Sequence, residues 1–138
     1  MTFRTVAELV EIAERENIPI SEVMIRQEMD IKDRTYQAVF SDMEKNLQVM
    51  EEAIKHGLNG VESVTGLTGG DAVLVQKYMQ EKTPLSGNIL LDAVSKAMAT
   101  NEVNAAMGVI CATPTAGSAG CVPGALFAVK KQLHPTRE

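Results

Sequence analysis

Two cysteines are the residues of this sequence best suited to chemistry. Cys111 and Cys121 lie in segment 111–124, which carries no charge and no side chain larger than valine. Small residues and nearby helix ends lower the pKa of a thiol, which suits a nucleophile or a metal ligand, although most such cysteines are buried and inert. The sequence has two histidines, His56 and His134, one expected at a helix end and one beside a proline, so a Cys–His catalytic pair has little support. A disulfide is not expected.

Two glycine-rich loops each lead into a predicted helix. They span residues 65–71 and 115–124, and the free N–H groups and dipole of a helix N-terminus make such places ready anion sites. Neither is a nucleotide loop, because the Walker lysine is missing and no strand precedes them. The loops therefore suit a small carboxylate, or their glycines serve only tight turns and close helix packing. The residues leave both interpretations open.

The helix between these loops changes from apolar to polar along one side. Asn101 and Asn104 fall in the same angular sector as Leu90, Val94 and Ala97. Either the asparagines cap a fraying helix end or they point into a pocket. Their spacing does not separate these alternatives.

The elements that position these residues are predicted to be helical. Thr5 and Glu8 form a capping box for a first helix, and Ser21 and Ser86 are candidate N-caps of later helices. The one short strand candidate is 109–110. We therefore expect an all-α fold, an irregular helical domain with glycine-rich loops at helix N-termini.

The clearest periodicity predicts one long amphipathic helix after Asp33, which Gly57 should end. We favour a core-facing seam for its apolar stripe, because the stripe is too short for a coiled coil; the alternative is a surface that binds another chain. The stripe consists of Tyr36, Phe40, Met43, Leu47, Met50 and Ile54.

Three further helices follow from the same spacing. The last is predicted over 125–133, after the second glycine-rich loop. The inward-facing residues of the other two should be Leu74, Val75, Tyr78 and Met79 in one helix, and Leu90, Ala93, Val94 and Ala97 in the next.

Composition excludes several classes of function. The 138 residues have the length of one domain, and the formal charge of −5 argues against nucleic acid as a partner. Apolar runs are too short to span a bilayer and the N-terminus lacks the order of a signal peptide, so we expect no membrane association and a cytoplasmic location. Residues 134–138 look like the start of another helix with Thr136 at its cap, and we expect the domain to continue.

Four runs of residues are distinctive: VTGLTGGDA (64–72), LDAVSKA (91–97), TNEVNAAMG (100–108) and ATPTAGSAG (112–120). Together they resemble the α chain of the two-chain bacterial iron–sulfur L-serine dehydratase. The last two runs are highly specific in combination, and the resemblance extends from the N-terminus to Glu138.

The resemblance implies that residues 1–138 are the N-terminal part of a largely helical catalytic domain. It implies deamination of L-serine to pyruvate and ammonia without pyridoxal phosphate, in an oligomeric enzyme that a separate β chain completes. In this family three cysteines hold a four-iron, four-sulfur (4Fe-4S) cluster. Its open iron acts as a Lewis acid on the substrate hydroxyl while a base takes the α-proton.

The match to the family is incomplete at the cluster. Ala119 stands where many relatives have a ligand cysteine, in a Pro-Thr-x-Gly-x-Cys-Gly turn, so we assign the first ligand to Cys111, with Cys121 as the alternative. Two cysteines cannot supply three thiolates, and the chain alone is therefore expected to be inactive.

The resemblance also implies which residues contact the substrate, and it identifies no base. Thr65, Thr68, Gly69 and Gly70 would face the serine carboxylate, Asn101 and Asn104 would point into the same cavity, and Thr115, Gly117 and Ser118 would border the cluster.

Two other functions are compatible with the residues. One is a noncatalytic helical module whose methionine-rich stripe, residues 43–54, binds a partner helix. The other is a fold that binds a small carboxylate without chemistry. Substitutions of Asn104 and Thr115 that abolish turnover without unfolding the protein would favour catalysis.

Overall fold

The computed structural model describes residues 2–136, which are all-α as the sequence predicts. No strand occurs among them, and the strand candidate 109–110 is irregular. None of the helices in this range has the length and apolarity needed to cross a membrane. The helix expected after Thr136 would involve Arg137 and Glu138, which lie outside the described residues. The helices are α1 (Val6–Glu16), α2 (Ile20–Lys32), α3 (Tyr36–Leu58), α4 (Asp71–Glu81), α5 (Asn88–Ala105) and α6 (Ser118–Leu133).

The chain divides into two compact units, and the boundary falls within α3. One unit comprises the residues up to Lys45 and the other those from Asn46 onward. In the first unit α1 packs against α2, and the buried apolar residues of these helices are Ile12 and Val23. The predicted cap of α1 is confirmed, because the Thr5 hydroxyl accepts the N–H of Glu8 at 3.2 Å.

Two predicted N-caps are wrong. Helix α2 begins at Ile20 after Pro19, so Ser21 lies inside its first turn. Helix α5 is preceded by Gly87, and Ser86 lies one residue too early. Neither helix has a side-chain cap. Proline holds the extended entry to α2 through its fixed φ, and glycine tolerates the positive φ of 80° that leads into α5.

Helix α3 is the predicted long helix, but it ends differently. It continues to Leu58, so Gly57 lies in its last turn rather than after it. A Cβ on Gly57 would overlap the main-chain carbonyl of Ala99 on α5, which explains why this position is glycine. Ile54 is buried, whereas Met43 is 64% exposed. The core-facing interpretation of the stripe therefore holds near its end and is wrong at Met43 and at Tyr36, which is 45% exposed.

In the second unit α5 contacts both α4 and α6. Its contact with α6 is close because Gly120 and Gly124 lack side chains. A Cβ on Gly120 would lie 2.8 Å from the carbonyl oxygen of Ala97, and one on Gly124 would lie 2.6 Å from that of Ala93. The prediction of a loop up to residue 124 is wrong because of this close packing of α6 on α5. Helix α6 already begins at residue 118, since packing outweighs the low helix propensity of glycine and of Pro123.

The buried side of α5 is mainly polar, so the expected apolar face is only partly correct: Ala93 and Ala97 pack against α6, as predicted. Leu90 and Val94 are exposed. The same correction applies to α4, where Leu74 and Tyr78 are exposed while Ala72 is buried. The buried polar residues of α5 are Asp92, Ser95, Lys96, Thr100 and Glu102.

Asp92 and Lys96 form a buried ion pair one turn apart on this side of α5. Lys96 also donates to the carbonyl oxygen of Phe127 on α6 at 3.2 Å, and the Gln76 amide of α4 donates to Asp92 at 3.4 Å. Burial raises the pKa of Asp92, but the hydrogen bonds from Lys96 and Gln76 and the positive charges of Lys96 and Lys131 outweigh burial, so its pKa lies below the usual 3.8. The network ties α4, α5 and α6 together.

Candidate functional site

The first glycine-rich loop is organised by Ser63, a residue that sequence reasoning missed. Ser63 is buried. Its N–H donates to the carbonyl oxygen of Thr68 at 2.8 Å, and its hydroxyl accepts the N–H of Thr68 at 3.1 Å. The Thr65 hydroxyl lies 3.3 Å from the same oxygen. A small hydroxyl residue just before the glycines, able to bond back to the chain, was the available signal.

Gly69 allows this loop to close on itself. Its φ of 137° is rarely adopted by other residues, and a Cβ would overlap the carbonyl oxygen of Val61. The loop encloses an open cavity of about 450 Å³, whose walls include Thr68, Gly69 and the two acidic residues Glu62 and Asp71. In the described part of the chain no lysine, arginine or histidine lines it.

The N-terminus of α4, at one edge of this cavity, is capped by Glu102 from α5. One oxygen, Oε1, accepts the N–H groups of Asp71 at 2.7 Å and of Ala72 at 3.1 Å. The other, Oε2, is buried without a hydrogen-bond partner among residues 2–136. Gly70 occupies the N-cap position and has no side chain to do this. The dipole end of α4 therefore already faces a carboxylate.

The predicted carboxylate contacts of the loop can be placed against this geometry. Thr68 and Gly69 line the cavity, whereas Thr65 and Gly70 do not. The N–H groups of Gly69 and Gly70 have no acceptor among the described residues 2–136. Of these two, Gly69 lines the cavity and can offer its N–H to a bound anion.

The second glycine-rich segment forms a cluster of hydroxyls at the start of α6. The Thr115 hydroxyl accepts the N–H of Ser118 at 3.2 Å, and the Ser118 hydroxyl accepts the N–H of Thr115 at 3.1 Å. Thr113 adds a third hydroxyl 2.8 Å from that of Ser118. Gly117 occupies the N-cap position and is exposed. The Thr115 hydroxyl thus satisfies the N–H of the first residue of α6, although Gly117 itself supplies no side-chain cap.

Both predicted asparagines are exposed on α5, but they lie beside different parts of the chain. The Asn101 amide lies beside the first turn of α6, since a Cβ on Gly120 would be 2.8 Å from its Oδ1. Asn104 is exposed, and its carbonyl oxygen accepts the N–H of Met107 at 3.0 Å where α5 ends. The consecutive residues Asn101 and Glu102 therefore link α5 to the first turns of α6 and α4.

The two thiols are free and lie on different elements. Cys111 is half-buried in the irregular segment before α6, with its Sγ 3.8 Å from the carbonyl oxygen of Ala112. Cys121 is exposed on α6. Within residues 2–136 no group of three or more His, Cys, Asp or Glu side chains is placed to hold a metal ion.

The sequence profile of the family described as "Serine dehydratase alpha chain" matches residues 15–138. The chain belongs to this family. The resemblance inferred from the four sequence runs is therefore confirmed.

Curated members of the serine dehydratase family match along nearly the whole chain. The "Probable L-serine dehydratase, alpha chain" of Bacillus subtilis is 62% identical over 136 residues, which are 99% of this chain and 45% of that protein. The "L-serine dehydratase, alpha chain" of Peptoniphilus asaccharolyticus is 26% identical over 131 residues, which are 94% of this chain and again 45% of the relative. The chain thus spans less than half the length of these relatives. No solved structure matches it.

The family's expected iron–sulfur cluster does not fit the residues of this chain alone. The resemblance leads us to expect three thiolates, while the sequence has Cys111 and Cys121 only. Ala119, where the resemblance leads us to expect a ligand cysteine, is buried and offers no ligand atom. The cluster assignment of the two cysteines stays a prediction.

Proposed function

We propose that this chain contributes to an L-serine dehydratase, a lyase of amino-acid catabolism that converts L-serine to pyruvate and ammonia. The observation that carries the proposal is the 62% identity, over 99% of the chain, to a curated α chain of that name. Loss of the α-proton and of the β-hydroxyl as water gives aminoacrylate, which tautomerises to an imine and takes up water to release ammonia and pyruvate. The role we assign to the described residues is binding and orienting the amino acid.

The cavity of the first glycine-rich loop has groups for both charged ends of the serine zwitterion. The N–H group of Gly69 lacks an acceptor among residues 2–136, which suits the carboxylate, and Thr68 lines the same cavity. The carboxylates of Glu62 and Asp71 on the cavity wall suit the α-ammonium group. A cavity with acidic walls and a free main-chain donor favours an amino acid over a simple dicarboxylate.

The second glycine-rich segment and the asparagines complete the proposed site. Thr115, Gly117 and Ser118 would border the reacting atoms, with Asn101 and Asn104 on the adjoining helix. Support for this placement is that Asn101 already lies beside the first turn of α6.

Dependence on an iron–sulfur cluster and on a β chain belongs to the same proposal. Since the chain has two cysteines, at least one cluster ligand would come from outside its sequence. Cys111 is the favoured contributor and Cys121 the alternative. The free thiols of both residues suit a reducing compartment such as the cytoplasm.

The test combines this chain with the remaining part of a family α chain and a family β chain. After anaerobic reconstitution with iron and sulfide, L-serine should yield pyruvate, and omission of this chain should abolish the product. Asn104→Ala should reduce turnover without changing thermal stability, because Asn104 is exposed. Asn46→Ala, the same change at an exposed position of α3, is the control.

Three outcomes would contradict the proposal. A complete assembly without pyruvate formation would exclude the catalytic role. Calorimetric binding of L-serine without turnover would instead support a carboxylate-binding fold. Loss of partner binding on substitution of exposed Met43, with turnover unaffected by Asn104→Ala, would favour the noncatalytic partner-binding module.

A further inference from the structure

Helix α6 is apolar on two opposite sides. One side carries the glycines that pack on α5, together with the buried Phe127 and Ala128. At 3.6 residues per turn, the positions two, six, nine and thirteen residues after Gly120 fall on the opposite side. They are Val122, Leu126, Val129 and Leu133, which are 40%, 44%, 48% and 71% exposed.

The charge pattern of α6 agrees with this description. No charged residue occurs from Ser118 to Val129, and the helix carries its first charges at Lys130 and Lys131. Lys130 pairs with Glu51 at 3.3 Å, and Lys131 lies 3.6 Å from Asp92. A helix that is apolar all round belongs to the interior of a larger protein, whereas a surface helix has a charged outer side.

We propose that the outer face of α6, defined by Val122, Leu126, Val129 and Leu133, packs against the part of the family α chain that lies outside the match to this sequence. The curated relatives are about twice as long as the matched segment, since 136 matched residues are 45% of the Bacillus subtilis protein. That remainder is long enough to bury the whole face. It must present an apolar surface without an unpaired charge opposite Leu126.

A second copy of this chain fits the face less well. The four side chains extend from Val122 to Leu133, a rise of about 16 Å along the helix. Two such stripes packed together fall short of the roughly 800 Å² per partner of a standard interface. The inference rests on family membership and on the face itself, and it does not require that the proposed serine turnover be correct.

The test uses this chain and a tagged polypeptide comprising the unmatched part of the Bacillus subtilis relative, produced together in one cell. The expected result is a one-to-one complex in which amide hydrogen exchange slows across residues 122–133. Leu126→Glu should weaken the complex by at least about tenfold, because a factor of ten is only ~1.4 kcal/mol and a buried unpaired carboxylate costs more.

The matched control is Leu85→Glu, the same change at a fully exposed leucine in the turn before α5. Both variants should fold, since neither leucine is buried in the chain, and the melting temperature checks this. A complex that tolerates Leu126→Glu as well as Leu85→Glu would overturn the proposal. So would a dimer of this chain alone that Leu126→Glu makes monomeric.

A second measurement covers the case in which the separate part does not fold. This chain and the unmatched part are then joined in one polypeptide, and hydrogen exchange in α6 is compared with that of the 138-residue chain. Slower exchange across 122–133 supports the packing. Unchanged exchange there in a folded, joined protein overturns it.

Discussion

Glu102, on the neighbouring helix α5, caps the first turn of α4. Its Oε1 lies 2.7 Å from the main-chain nitrogen of Asp71. The contact joins residues 31 positions apart in sequence. It fixes the point where the first glycine-rich loop becomes a helix, and it neutralises the positive end of that helix. The cavity of the loop therefore depends on a side chain that does not line it.

Two substitutions of Glu102 should distinguish the effect of its capping oxygen from the effect of its negative charge. Glu102→Ala removes the acceptor of two N–H groups and should lower the free energy of unfolding by about 1–2 kcal/mol. Glu102→Gln keeps one oxygen that can accept both N–H groups, so its loss should be less than half as large. Urea unfolding of the two variants measures the difference. Equal losses would show that the charge matters more than the cap.

The buried pair Asp92–Lys96 should respond far more strongly to substitution than an exposed pair of the same spacing. Asp92→Asn leaves the Lys96 charge buried without its partner and should cost about 3–5 kcal/mol of unfolding free energy. Glu81→Gln breaks the exposed pair with Lys77 and should cost less than about 0.5 kcal/mol. Removing both buried charges, as in Asp92→Asn with Lys96→Met, should recover most of the loss. A small effect of Asp92→Asn alone would contradict the network described above.

The same pair predicts how stability depends on pH. The folded pKa of Asp92 lies below its ordinary value, so the folded state favours the ionised form. This contribution is complete above the unfolded pKa of about 3.9 and is lost as the pH falls through the folded pKa. Unfolding free energy should therefore fall below about pH 4 more steeply for the wild type than for the variant lacking both charges. Parallel curves would contradict the assignment.

The sequence predicted helices best where one side is apolar and the other charged. α1 and the long α3 follow that pattern, and their starts and lengths were close to those observed. α5 does not follow this pattern. Asp92 and Lys96, four residues apart, have the spacing of a solvent-exposed ion pair, although both are buried. Their burial depends on α4 and α6, which no local pattern reveals. Leu90 and Val94 were placed inside for the same reason.

The candidate site was predicted in part. The first glycine-rich loop and the helix after it were predicted because glycines mark turns, whereas Thr115 and Ser118 were assigned to the site from the family resemblance, and their roles stay predictions. Ser63 was missed because a single serine is not a distinctive signal. Glu102 was missed because it reaches the loop only through the packing of α5. The start of α6 was missed because Gly120 and Gly124 predict a loop unless a neighbouring helix is known to lie against them.

Two glycines with different surroundings should respond oppositely to alanine. Alanine is favoured over glycine in a helix by about 1 kcal/mol, but at Gly57 its Cβ would overlap the carbonyl of Ala99, and overpacking should cost about 1–3 kcal/mol. Gly117 has φ −64° and open space around it. Gly117→Ala should therefore stabilise by about 0.4–1 kcal/mol. Thermal unfolding of both variants provides the comparison, and a stabilised Gly57→Ala would show that α3 and α5 are not in close contact.

The chain by itself should neither hold the iron–sulfur cluster nor form pyruvate. Its two thiols, Cys111 and Cys121, are one fewer than the three thiolates expected, and neither belongs to a three-ligand group in the described part of the chain. After anaerobic reconstitution with iron and sulfide, the isolated chain should show no visible absorbance of a cysteine-ligated cluster. In the complete assembly, Cys111→Ser should abolish that absorbance while Cys121→Ser retains it. The reverse result would make Cys121 the ligand, and a stable cluster with turnover in the isolated chain would contradict the requirement for a third thiolate.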